Sequence, residues 1–343
     1  MKKFILLLAA IVFTSVGQAQ NSPATKFAVT KTFPLGLDGN WDYATLSADG
    51  GKLFVTRATH TMVIDTGSGK LVADITGNTL SHGVALVPSV GRGFISNGRG
   101  GTVTIFDLNT YAVLGDVKTD LDSDGIIYDP ASNRVMVVCG DPGVMFAIKP
   151  DIDPKNGVVD PPLKFGGKPE FLQSDNAGKV FVNLTDKNEI AVVDSKTMTI
   201  TARWPVAPGT APTGLAIDRV KHRLFSGCRG GKLMIVVSTD DGHVIASLPI
   251  GAGVDATGFY DGLAFASCAD GTLTVAAETS PDHFEVVQTV QTATGARTMA
   301  VDPNTGKIYL PTAKTVTPAS SPSVPRPRPT AVPGTFKILV VGR

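Results

Sequence analysis

A four-residue strand motif recurs seven times: Phe54-Val55-Thr56-Arg57, Phe94-Ile95-Ser96-Asn97, Met136-Val137-Val138-Cys139, Phe181-Val182-Asn183-Leu184, Phe225-Ser226-Gly227-Cys228, Phe265-Ala266-Ser267-Cys268 and Tyr309-Leu310-Pro311-Thr312. Successive motifs begin 40, 42, 45, 44, 40 and 44 residues apart. That period matches a four-stranded propeller blade and exceeds those of helical-pair and leucine-rich repeats.

Each unit repeats one order of elements. An apolar strand such as Tyr43-Ala44-Thr45-Leu46 leads through a polar turn such as Ala48-Asp49-Gly50-Gly51 into the motif strand. A third strand (Met62-Val63-Ile64-Asp65, Ile190-Ala191-Val192-Val193-Asp194) and a more exposed fourth follow. No window of helical length carries apolar residues at helical spacing, so the expected fold is all-β: a seven-bladed β-propeller with four antiparallel strands per blade. The last unit ends after its third strand, Phe336 to Val341, whereas residues 27–34 match a fourth strand and have no unit of their own. Pairing the two would complete the C-terminal blade, close the ring and remove an exposed strand edge.

Residues 1–19 read as a secretory signal peptide: Lys2 and Lys3, an apolar run from Phe4 to Val12, then small residues at Gly17 and Ala19. The run is too short for a bilayer anchor, so a periplasmic or secreted protein is expected, with residues 20–343 as one propeller domain. Without Lys2 and Lys3, 29 basic side chains face 30 acidic ones. A near-neutral chain offers no bulk attraction to nucleic acid or anionic membrane, and a monomer without a membrane span is expected. Cys139, Cys228 and Cys268 all close a motif, which places them on equivalent strands of different blades, about 10 Å apart or more given ~4.8 Å between strands. A disulfide needs Cα atoms within about 7 Å, so reduced, buried thiols are expected.

The tetrad is a degenerate Tyr-Val-Thr-Asn, and with segments such as Pro212-Thr213-Gly214-Leu215-Ala216-Ile217-Asp218 it resembles the YncE-like family of YVTN-repeat propellers across essentially the whole mature chain. The resemblance implies a seven-bladed exported propeller; nucleic-acid binding has been reported for some relatives, while most functions in the family are unassigned. Arg57, Cys139, Leu184, Cys228, Cys268 and Thr312 replace the motif's final Asn. Such motif residues are mainly structural, so the resemblance carries the fold and no function.

In a propeller, the loops into the first strand and from the second to the third strand open on one face, the mouth of the central channel. Aligning the units places Asp42, His82, Asp124, Glu170, Thr213, Asp255 and Arg297 at equivalent starts of the first strands. Asp42, His82, Asp124 and Glu170 fall on consecutive blades and could hold a divalent cation; crowded carboxylates raise one another's pKa unless a cation offsets them. Gly83, Gly125 and Gly214 follow ring positions and would let a ligand approach closely. From the loops after the motif, Arg57, Arg99 and Arg229 could clamp a carboxylate or phosphate. Trp41 has two readings, a rim ring that stacks on a sugar and a packed core side chain. Residues 311–335 carry seven prolines with Arg326 and Arg328 among them, a stretch expected to stay out of the blade, with two readings, a semi-rigid lid arching over the mouth and a disordered loop.

No nucleophile elbow, zinc-protease helix, phosphate loop or Cys-x-x-Cys pair occurs. Two main functions follow. One is a binding or scaffold protein that takes a small or extended polar, anionic ligand at the mouth, with a protein partner as an additional role. The other is a lactonase- or lyase-type enzyme whose acidic and histidine ring holds a cation that polarises a carbonyl.

Overall fold

Short apolar runs separated by polar turns build antiparallel strands throughout the computed structural model, which describes residues 26–36, 39–319 and 329–343. The fold is all-β and consistent with a β-propeller. Four sheets have four strands and run in chain order from Ser123–Asp129, Pro169–Ser174, Thr210–Asp218 and Val254–Tyr260. A seven-stranded sheet contains two further runs, joined because the strand Leu71–Val87 is continuous and pairs with Ala58–Asp65 on one side and Arg92–Asn97 on the other. In the last four-stranded sheet, Ala300–Val301, Ile308–Thr312 and Lys337–Gly342 come from the C-terminal region and Ala28–Pro34 from the N-terminal one. Register runs from Ala28 opposite Gly342 to Pro34 opposite Lys337.

All seven motifs lie on or at the end of second strands, and the aromatic or methionine at each first position is buried. First strands of consecutive units touch in chain order, and Ala300–Val301 also touches Ala44–Leu46. Apolar side chains therefore pack mainly between neighbouring sheets, as in the cluster of Phe33, Leu53, Ile64, Tyr309, Phe336 and Ile338. Burying sheets on both faces explains the 43% apolar content with only 18% charged residues.

All three cysteines are free and buried, and burial pushes their thiols up to about 11 for Cys139 and Cys228 and about 12 for Cys268. The proline-rich stretch contributes a two-stranded ribbon, Thr315–Val316 with Thr330–Ala331, apart from the blade strands, and the Ala331 N–H donates to Asn40 Oδ1 at 3.4 Å. Arg326 and Arg328, like residues 1–19, where the sequence predicts a signal peptide, lie outside the described residues. Among the described residues no helix is long and apolar enough to cross a membrane.

Candidate functional site

The third residue of the motif helps to place the ring. Thr56 Oγ1 donates to the His82 carbonyl at 2.6 Å and Ser96 Oγ to the Asp124 carbonyl at 2.5 Å. Asn183 Nδ2 donates to the Thr213 carbonyl at 3.0 Å, and Ser267 Oγ donates to the Arg297 carbonyl. Pro311 has no donor at this position, and Thr298 Oγ1 instead reaches the Asp42 carbonyl at 2.8 Å. A polar side chain of one unit thus pins the start of a first strand in the next. Ser, Thr or Asn at the third motif position is the sequence signal for this device, and it was not recognised in the strand pattern.

Asp42, His82 and Asp124 come together. His82 Nδ1 lies 2.6 Å from Asp42 Oδ2 and 3.7 Å from Asp124 Oδ1. Burial alone would lower the His82 pKa, but the Asp42 hydrogen bond and the Asp124 charge outweigh it and raise it to about 9. The imidazolium therefore donates to Asp42. Neither His82 Nε2 nor Asp124 Oδ1 has a hydrogen-bond partner, although both are buried. Burial raises the Asp124 pKa well above the ordinary range, His82 opposes this, and Glu170 adds to it. Glu170 is pushed up to about 7 by burial, against the pull of Arg229.

A second cluster holds the cations. Arg297 Nε donates to Asp255 Oδ2 at 2.6 Å, while Arg229 Nη2 donates to Asp255 Oδ1 and its Nε to the Val254 carbonyl at 3.2 Å. Asp255 is buried, whereas the two arginine side chains stay 47% and 36% exposed, so both guanidiniums are fixed at one end and open at the other. Thr213 is buried and its hydroxyl donates to the Ala211 carbonyl at 3.2 Å, so it lies on the ring but offers no free donor. Arg99 is exposed on its loop.

Three sequence expectations are redirected. Arg57 does not reach the mouth: it is fully buried, with its guanidinium carbon 3.6 Å from the centre of the Phe336 ring, Nη2 donating to the Gly39 carbonyl at 2.8 Å and Nε to the Asn40 carbonyl at 3.0 Å. A tight turn through Ala58, whose φ is 62°, sends the chain back at this point. Trp41 takes its packing role, 5% exposed and 6.0 Å from Phe336. The glycines make room for protein rather than ligand. A Cβ on Gly125 would stand 2.4 Å from the Glu170 carbonyl oxygen, and one on Gly214 2.6 Å from the Thr257 nitrogen.

Tyr43 and Phe171 were missed. They follow ring residues Asp42 and Glu170 on non-neighbouring sheets, yet their rings lie 4.7 Å apart, so they meet across the centre. Burial raises the Tyr43 pKa, and the charges of Asp124, Glu170, Asp42 and Asp255 raise it further. A cavity of about 570 Å³ begins at this ring pair and runs along the first strands away from the charged residues.

The histidine makes stability depend on pH. A folded pKa near 9, against an ordinary 6.5, gives stabilisation that is full below about pH 6.5 and lost as pH rises through 9. The raised Glu170 has the same sign in a lower window, between about 4.5 and 7. Wild type is expected to lose about 3 kcal/mol more than His82→Gln between pH 6 and 9.5 in urea unfolding. Equal losses would remove the His82–Asp42 pair as a stabilising element.

No family model and no curated protein matches this chain. Among solved structures it is similar to Kuenenia stuttgartiensis hydrazine synthase, with a TM-score of 0.68 at 12% identity over 80% of this chain and 92% of that one. At that identity the likeness supports a β-propeller fold and carries no chemistry.

Proposed function

We propose that the chain is an exported, seven-bladed propeller of the YncE-like type, closed by residues 27–34, that binds a small or extended polar ligand with an anionic group at its mouth. Seven four-strand runs, first strands in cyclic contact and the pairing of Ala28–Pro34 with Lys337–Gly342 support the ring. One observation carries the binding reading: Asp255 holds Arg229 and Arg297 together while leaving part of each guanidinium open. Elsewhere on the ring, Asp124 and Glu170 have raised pKa values and remain protonated to higher pH than ordinary carboxyls, which lessens repulsion of an anion and supplies hydrogen-bond donors.

Citrate, titrated calorimetrically at pH 6, serves as the probe. Arg297→Ala is expected to weaken its binding about tenfold or more, because a hydrogen bond to a charged group contributes ~1.5–3 kcal/mol. Unchanged affinity, or no citrate binding to wild type, would count against the reading.

The enzyme reading keeps one specific support. Ligand atoms of Asp42, His82 and Asp124 lie within 4.8 Å of one another, a group that could hold a divalent cation, with Glu170 outside it. Such a cation would polarise a carbonyl oxygen. Because His82 retains its proton to about pH 9, a cation must displace that proton, which favours the binding reading at neutral pH. Stoichiometric metal in purified protein, lost in His82→Ala, would reverse that preference.

A further inference from the structure

The cavity that starts at Tyr43 and Phe171 ends at the turns holding Ser47, Ala48, Pro88 and Pro303, so it opens on the face opposite the charged ring. Its volume of about 570 Å³ falls in the ~300–1,000 Å³ range of small-molecule sites. Leu46, Ile127, Phe171, Phe259, Met299 and Val301 give it an apolar stretch of wall, interrupted by polar groups such as Thr45, Gln173 and Thr257. Arg219 alone among the lining residues carries a charge, and no acid lines the cavity. Its Nε donates to the Ser174 carbonyl at 2.9 Å, and among the described residues it forms no ion pair; Asp175 is the acid whose charge acts on it. A cavity with an apolar stretch of wall and a guanidinium that forms no ion pair among the described residues complements an amphipathic anion.

We propose that this end of the channel is a second ligand site, separate from the charged mouth, for a monoanion with an apolar tail, such as a straight-chain carboxylate. The tail lies along the first strands toward the Tyr43–Phe171 pair, and the carboxylate meets Arg219. The aromatic pair lines the end of the cavity nearer the acids.

Calorimetric titration with hexanoate, heptanoate, octanoate and octanol tests this on the full mature chain. Affinity is expected to rise about three- to fourfold per methylene along the carboxylates, the increment for burying one CH₂. Octanoate is expected to bind wild type about tenfold or more tightly than octanol, a comparison that needs no variant. Arg219→Gln should erase that advantage and leave octanol binding unchanged, and Arg297→Ala should leave octanoate binding unchanged. No dependence on chain length, equal affinity for octanoate and octanol in wild type, or octanoate affinity that survives Arg219→Gln would each overturn the proposal. An equal loss in Arg297→Ala would show that octanoate occupies the mouth instead.

Discussion

Removing residues 26–34 is expected to abolish a single cooperative thermal transition and to produce aggregation on heating. The segment supplies the outer strand to Lys337–Gly342, and without it that strand becomes an unpaired edge. It also supplies two anchors. Phe33 is 3% exposed within the cluster around Leu53 and Ile338, and Phe27 packs edge-on to Phe265 at 5.4 Å. Gly69 leaves space for the Phe33 ring, since a Cβ there would stand 2.2 Å from Cδ1. Phe33→Ala alone should cost ~3–5 kcal/mol, the usual range for a buried phenylalanine, and lower Tm by roughly 4–8 °C. Calorimetry with light scattering measures both effects. A truncated chain with the wild-type Tm and no scattering would show that the remaining units are stable without this strand.

Arg57→Ala is expected to destabilise the fold by ~3–5 kcal/mol and to leave citrate binding at the mouth unchanged. The side chain fills space against Phe336 and donates to carbonyls of Gly39 and Asn40, so truncation opens a cavity and removes donors at once. Arg57→Met separates these contributions: it keeps most of the volume and the contact with the ring, and should lose only ~1–3 kcal/mol for the missing hydrogen bonds. Chemical unfolding of both variants checks the order. A variant of unaltered stability with weakened citrate binding would return Arg57 to the mouth.

The strand pattern within a unit was legible because it depends on neighbours in sequence. Phe94, Phe181 and Phe265 open the same short apolar motif at a repeat of roughly one unit, and each lies buried on a second strand. Pairing of Ala28–Pro34 with the C-terminal strand followed from counting strands. The site was legible in part. Asp42, His82 and Asp124 were placed side by side by unit alignment alone, as were Asp255 and Arg297. What escaped depends on distances between units. Gly125 reads as open space until the neighbouring strand places the Glu170 carbonyl against it. Arg57 reads as a loop cation until the turn at Ala58 directs it inward. Tyr43 and Phe171 stand on units far apart in order, and only a narrow centre lets their rings touch.

The unbroken strand Leu71–Val87 sets a limit on how this chain can be cut and rejoined. Other neighbouring four-strand runs are linked by segments outside regular strands, as at residues 119–122, 206–209 and 250–253, where new chain ends would sever no ladder. Between residues 76 and 81 the backbone passes from one ladder to the next without leaving the sheet, through Gly77 at φ 90° and Leu80 at φ 59°. A circular permutant opened there would fray both ladders together, so these two runs form one inseparable module, and amide exchange should report their opening as a single event.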